Sequence, residues 1–139
     1  MTNSGTQFQV TTMIDGLAGA PYQRIWFDVE TNPGSGCGWP SDTKKNCAFL
    51  GELIEAGRKV GAAMGVYASA HYWGMIMGAD CKIASNLPLW YSEYPATLPA
   101  KMDCTRWAPY GGWAKPWGWQ YADHGPGACG AGADLTVIC

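Results

Sequence analysis

Arg24-Ile25-Trp26-Phe27-Asp28-Val29-Glu30 is a short apolar run that ends in two carboxylates two residues apart. As a strand it alternates: Ile25, Phe27 and Val29 point to one face, and Trp26, Asp28 and Glu30 to the other. The first face is wholly apolar and suits a layer of helices. The second becomes acidic only at its C-terminal end. Side chains two apart on a strand sit roughly 6–7 Å apart, near the range in which paired carboxyl groups cleave glycosidic bonds. Like charges at that spacing push their pKa values apart, so that one holds a proton near neutral pH. The competing reading is a half-exposed strand with an acidic rim.

Around this run the order of elements points to an α/β protein. Residues 7–17 carry Val10, Met13, Ile14 and Leu17 at the spacing of an amphipathic helix, which Gly19 and Pro21 stop. The strand follows over 23–30. The Gly- and Pro-rich segment 31–40 then reads as a loop over the carboxylates. Ser41, Asp42 or Thr43 can cap a helix over 44–59, with Phe49, Leu53, Ala56 and Val60 as its buried stripe. Gly61 ends it. A second strand is expected over 63–69, a short helix over 72–77, and further strands over 87–94, 117–121 and 133–138, the last headed by Asp134. Strand–helix–strand order in the first half calls for parallel pairing through right-handed crossovers. The five strands form either an open α/β sheet or part of a barrel, whose usual size exceeds this chain. In a barrel, Asp28 and Glu30 would sit at the strand ends that converge on the catalytic mouth.

Composition narrows the function. At 139 residues the chain is one domain's worth. Its net charge is −2 and only 14% of residues are charged, so no basic face is available for nucleic acid. No apolar run approaches a membrane span, and Met1-Thr2-Asn3-Ser4-Gly5 lacks the pattern of a signal peptide. The six cysteines point elsewhere. Cys37, Cys47, Cys81, Cys104, Cys129 and Cys139 have no C-x-x-C pair, so zinc spacing is absent. They fit disulfides and an oxidising compartment, which suggests that a leader is missing from the front of the chain. The short loops joining Cys37 to Cys47 and Cys129 to Cys139 are among the candidate pairings. His71 and His124 have no partner spacing for a metal. The eight tryptophans serve equally as core fillers or as flat faces for stacking on sugar rings.

Several stretches, in order, resemble glycoside hydrolase family 25 lysozymes of the Chalaropsis type, and more closely their eukaryotic branch. They are Ile25-Trp26-Phe27-Asp28-Val29-Glu30, Gly65-Val66-Tyr67-Ala68-Ser69 and Pro88-Leu89-Trp90-Tyr91. Gly111-Gly112-Trp113-Ala114-Lys115-Pro116, Trp119-Gln120-Tyr121 and Cys129-Gly130-Ala131-Gly132-Ala133-Asp134-Leu135 complete the set. The resemblance implies the C-terminal five-strand portion of an irregular TIM-like β/α barrel. It also implies hydrolysis of the β-1,4 bond between N-acetylmuramic acid and N-acetylglucosamine in bacterial peptidoglycan. On the family pattern Glu30 is the general acid, Asp28 stabilises positive charge or orients the N-acetyl group, and Asp134 supports the site by hydrogen bonding. Tyr67 reaches the acetamido region, and Trp90, Tyr91, Gln120 and Tyr121 belong to the sugar-binding wall. Physically, Glu30 must keep its proton through burial beside aromatics such as Trp26, while Asp28 and Asp134 stay ionised only if solvated. No metal or organic cofactor is required. The implied protein is a secreted or lysosomal monomer.

The pattern is also departed from. The family barrel begins with strands, one bearing a further active-site Asp, that have no counterpart here, so the chain reads as a single, N-terminally truncated catalytic domain. Thr136 stands where an Asn is often found. Missing strands would uncover sheet edges and part of the wall around Glu30, so weak activity or none is expected of the chain alone. The alternatives are a non-catalytic glycan-binding module of the same fold and an unrelated secreted disulfide domain. Apart from the resemblance, Tyr67, Trp90 and Trp119 read as core, and Asp134 reads as a turn carboxylate.

Overall fold

The computed structural model describes residues 4–126 and 132–139. Its elements are α1 (Ser4–Gly16), β1 (Ile25–Val29), α2 (Thr43–Lys59), β2 (Met64–Ala68), α3 (Ala70–Ile76), β3 (Leu89–Ser92), β4 (Gly118–Pro126) and β5 (Gly132–Ile138). The strands form one sheet in the order β1-β2-β3-β4-β5. The first four pair parallel, and β5 returns antiparallel to β4. That change of direction follows from connection length. The α2-bearing segment 30–63 separates β1 from β2, and segments 69–88 and 93–117 precede β3 and β4, whereas a short connection joins β4 to β5 and permits only a hairpin. No helix among the described residues is long and apolar enough to cross a membrane.

Strand alternation divides the sheet into two chemically different faces. Ile25 and Val29 of β1, Met64, Val66 and Ala68 of β2, Leu89 and Tyr91 of β3 and Trp119 of β4 are buried. Most of them join Leu50 and Ile54 of α2, and Trp73 and Ile76 of α3, in the core cluster. This is the helix-covered face. The opposite face carries Trp26, Asp28, Tyr67, Trp90 and Gln120.

α2 is capped by the Asp42 carboxylate, which accepts from the Lys45 N–H at 3.1 Å. Its buried stripe is Asn46, Leu50, Ile54, Ala56 and Gly57, so the expected stripe of Phe49, Leu53, Ala56 and Val60 is correct only at Ala56. The cause is local chemistry that hydrophobic spacing does not register. The Asn46 amide donates to Pro40 O at 2.8 Å and Ile76 O at 2.9 Å, which draws a polar residue inward. Gly57 meanwhile admits the Met64 thioether so closely that a Cβ would stand 2.1 Å from its sulfur. In α1, Val10 and Thr6 are buried, whereas Met13, expected on the buried stripe, is exposed.

Two disulfides join Cys47 to Cys81 and Cys104 to Cys139, with Cα–Cα distances of 6.0 and 5.6 Å. They replace the short-loop pairings expected from the sequence. The fold brings α2 against the segment after α3, and the end of β5 against the loop before β4, so partners distant in sequence meet. Cys37 is exposed and is not in a disulfide. Cys129 and the side chain of His124 lie outside the described residues.

Candidate active site

The four parallel strands and the antiparallel β5 position the site. In the register Asp28 lies beside Tyr67 and Tyr67 beside Trp90, while Ser92 lies beside Gln120 and Gln120 beside Thr136. The outcome is a small cleft of about 220 Å³ lined by Trp26, Asp28, Glu30, Tyr67, Trp90, Gln120 and Asp134. A larger hollow, about 810 Å³, opens at the other end of β3 and β4 beside Pro88, Trp113 and Trp117. The one acidic side chain among its lining residues, Asp103, is tied to Lys101 by a 2.8 Å ion pair. The smaller cleft, by contrast, gathers three carboxyl groups, Asp28, Glu30 and Asp134.

The cleft has an aromatic floor. Trp26 lies across Gly65, its register partner, so closely that a Cβ on Gly65 would sit 2.4 Å from the ring. The Trp26 ring meets Trp90 edge-on at 5.7 Å and Trp117 at 4.9 Å, with the Arg24 guanidinium 5.5 Å above it. Trp90 meets Tyr67 edge-on at 5.0 Å and donates from its indole N–H to the Thr136 hydroxyl at 3.1 Å. Thr136 thus fixes the Trp90 ring from β5, across the intervening β4.

Asp28 near the end of β1 and Glu30 just beyond it share a side-chain hydrogen bond. Partial withdrawal from water, then the Glu30 charge, then a side-chain hydrogen bond to Glu30 push the Asp28 carboxyl up to about 6. One edge of Asp28 is nonetheless exposed, and so is Glu30, which lies just past the strand end. The sequence reading makes ionisation of Asp28 conditional on solvation, and partial burial works against it without abolishing it at neutral pH. The reason is position: Asp28 sits within the strand beside Tyr67 and Trp90. Carboxyl groups in hydrogen-bond contact are also too close to flank a glycosidic bond from two sides. The loop after β1 is tied down beside them, because the Trp39 indole N–H donates to Glu30 O at 3.1 Å.

Polar residues complete the wall. Gln120 is only 3% exposed. Its side-chain oxygen accepts from the Tyr67 hydroxyl at 2.5 Å and from the Tyr94 hydroxyl at 3.1 Å. Ser92 adds a hydrogen bond to the Tyr67 hydroxyl. Burial raises the pKa values of both tyrosines, so they remain protonated donors.

Of the residues singled out in the sequence, Asp28, Glu30, Asp134, Tyr67, Trp90 and Gln120 come together. Tyr91 and Tyr121 do not. Tyr91 is buried on the helix-covered face, stacked on Trp119 at 6.1 Å, and the Tyr121 ring lies 5.7 Å from Trp119. Alternation forbids Trp90 and Tyr91, or Gln120 and Tyr121, from facing one cleft. The same alternation, carried on from Trp90 through Ser92, points to Tyr94, which the sequence reading missed. Nothing in the sequence marks Trp117 as a neighbour of Trp26.

Comparison with known proteins identifies the company this chain keeps. A family model described as lysozyme-like protein 1 matches residues 1–121. Lysozyme-like protein 5 of Caenorhabditis elegans is 31% identical over 132 residues, covering 94% of this chain and 57% of that protein. Probable GH family 25 lysozyme 2 of Dictyostelium discoideum is 36% identical over 130 residues, covering 92% of this chain and 56% of that protein. The chain thus spans a little over half the length of these relatives. Among solved structures, the bacterial lysozyme of Streptomyces coelicolor superposes with a TM-score of 0.66 at 19% identity, over 93% of this chain and 60% of that one. The five-stranded sheet accordingly has the fold of part of a TIM-like barrel.

Proposed function

Because the chain belongs to the lysozyme-like family, of the glycoside hydrolase family 25 type, we propose that its cleft is the acid–base centre of a peptidoglycan hydrolase. The bond at issue is the β-1,4 link between N-acetylmuramic acid and N-acetylglucosamine. The observation that carries this reading is the hydrogen-bonded Asp28–Glu30 pair in a cleft walled by Trp26, Tyr67 and Trp90. Glu30, at the exposed tip, delivers a proton to the leaving oxygen. Asp28, beneath it, shares that proton and later balances positive charge at the reacting sugar. Asp134 faces the pair from β5 and orients polar groups of the substrate. Departure of the leaving group creates an oxocarbenium-like centre, and the aromatic walls hold the ring while water completes hydrolysis. Two disulfides favour a secreted or lysosomal setting, and the proposed state is a monomer.

Release of reducing ends from purified peptidoglycan tests the assignment. Glu30→Gln is expected to lower release by about 10²-fold or more; equal release by both proteins would remove Glu30 from the mechanism. The exposure of both acids supports a second reading, a glycan-binding module with little chemistry. Retention on insoluble peptidoglycan without release of reducing ends, unchanged by Glu30→Gln, would select it.

A further inference from the structure

Glu30 is the acid on which the proposed chemistry turns, yet the sheet does not hold it. Pairing of β1 with β2 ends at Val29, opposite Ala68, so the Glu30 backbone lies beyond the ladder that fixes the strand. The segment after it, 31–41, is rich in Gly and Pro and turns on itself. Asn32 Oδ1 accepts from the Gly34 N–H at 2.8 Å, and Gly34 O from the Cys37 N–H at 3.1 Å. A bond back to the strand end comes from Trp39, whose indole N–H donates to Glu30 O at 3.1 Å. The Trp39 ring is itself anchored: it meets Phe49 of α2 edge-on at 6.3 Å and packs against the core. The next residue, Pro40, offers its carbonyl oxygen to the Asn46 amide at 2.8 Å, and the same amide donates to Ile76 O at 2.9 Å. Asn46 is only 3% exposed, so water does not compete well for these bonds. The segment, α2 and α3 therefore meet at one corner, and Trp39 carries that rigidity to the Glu30 carbonyl.

We infer that Trp39 is a positioning residue that holds Glu30 against Asp28 through the Glu30 carbonyl. Its catalytic meaning rests on the acid–base reading above; the contact itself rests on the geometry. Fixing the carbonyl of Glu30 restricts ψ at that residue, and the side chain branches from the same Cα. Glu30 is exposed, so packing does little to hold its carboxyl in place. Without the Trp39 N–H, the chain beyond Val29 swings more freely. The Glu30 carboxyl then spends less time on Asp28 and less time where a leaving oxygen would sit.

The test follows the Asp28 carboxyl by NMR titration in the native chain, Trp39→Phe, Glu30→Ala and the double variant, beside reducing-end release from purified peptidoglycan. Trp39→Phe keeps an aromatic ring against Phe49 and loses the N–H. Glu30 helps to hold the Asp28 carboxyl up at about 6, so a displaced Glu30 lets that midpoint fall towards the ordinary aspartate range. Asp134 and Tyr67, on the same cleft, are common to every variant. The midpoint is expected to fall in Trp39→Phe by no more than in Glu30→Ala, with no further fall when both are changed. Release should drop about three- to tenfold in kcat with KM unchanged. Phe49→Leu removes the ring on which Trp39 leans and leaves the N–H, and should shift Asp28 the same way by less. A native Asp28 midpoint in both Trp39→Phe and Phe49→Leu would overturn the role of Trp39. A fall that persists in full on the Glu30→Ala background would mark a general loosening of the cleft and overturn it too. A native chain that releases no reducing ends would bring down the acid–base reading, while the titrations still decide whether Trp39 holds Glu30.

Discussion

At Asp28, burial and the neighbouring Glu30 act in the same direction. Its carboxyl is pushed up to about 6 in the folded chain, against about 3.9 when unfolded. Between these values the folded state binds more protons than the unfolded state, so this group's contribution to stability falls as pH rises through the window. At neutral pH the penalty is fully present, and below about pH 4 it is absent. Asp28→Asn removes the charge and should raise the thermal midpoint at pH 7.5 but not at pH 4. Solvent at the exposed edge screens the effect, so a rise of about 1–3 °C is expected. Melting curves that shift equally at both pH values would contradict it. The same proton bears on activity. On the proposed mechanism, lysis should be favoured on the acidic side of pH 6 and decline above it, as Asp28 loses its proton. The acidic pair itself was legible in the sequence, because two carboxylates at alternate strand positions must share a face. The upward push on Asp28 was not, since that depends on where the strand stops and on what stands beside it.

The pairing of β1 with β2 depends on one residue without a side chain. Gly65 lies opposite Trp26, and a Cβ there would stand 2.4 Å from the indole and 3.0 Å from Arg24 Cδ. The ring can yield only by leaving its contacts with Trp90 and Trp117. Gly65→Ala should therefore expel Trp26 from the cleft floor, at a cost of about 1–3 kcal/mol. The expected readout is a changed near-ultraviolet circular dichroism spectrum together with weaker glycan binding. A variant with the native spectrum and native stability would show that Trp26 is not seated as described. At the scale of elements the sequence was readable in kind and unreliable in orientation. All five strands and the three helices were anticipated with ends displaced by a few residues. The inward face of α2 was not, because Asn46 turns inward for two backbone carbonyls and Gly57 for a sulfur. Hydrophobic spacing encodes neither. Assigning Tyr91 and Tyr121 to the sugar wall failed differently, by letting a motif override the two-residue period of the strand that carries it.

Over the whole molecule, β1 and β5 are the two ends of an open sheet among the described residues, and open edges lack the mutual support of a closed barrel. Covalent closure supplies part of what is missing. The bond from Cys104 to Cys139 ties the end of β5 to the segment before β4, across a sequence separation of 35. The Cys139 N–H adds a 2.9 Å hydrogen bond to Trp117 O at the same corner. Closing a loop of that length stabilises the fold by about 3–4 kcal/mol in the chain-entropy account. For a chain of this size that corresponds to roughly 10–15 °C in the thermal midpoint. Replacing Cys104 and Cys139 together by serine should lower the midpoint by about that much and loosen the β4–β5 hairpin that carries Gln120 and Asp134. Cys37→Ser is the control. Its thiol is exposed and lies outside both disulfides, so its melt should coincide with that of the native chain. Should the double variant melt at the native temperature while Cys37→Ser melts lower, the covalent frame would have to be drawn through Cys37 instead.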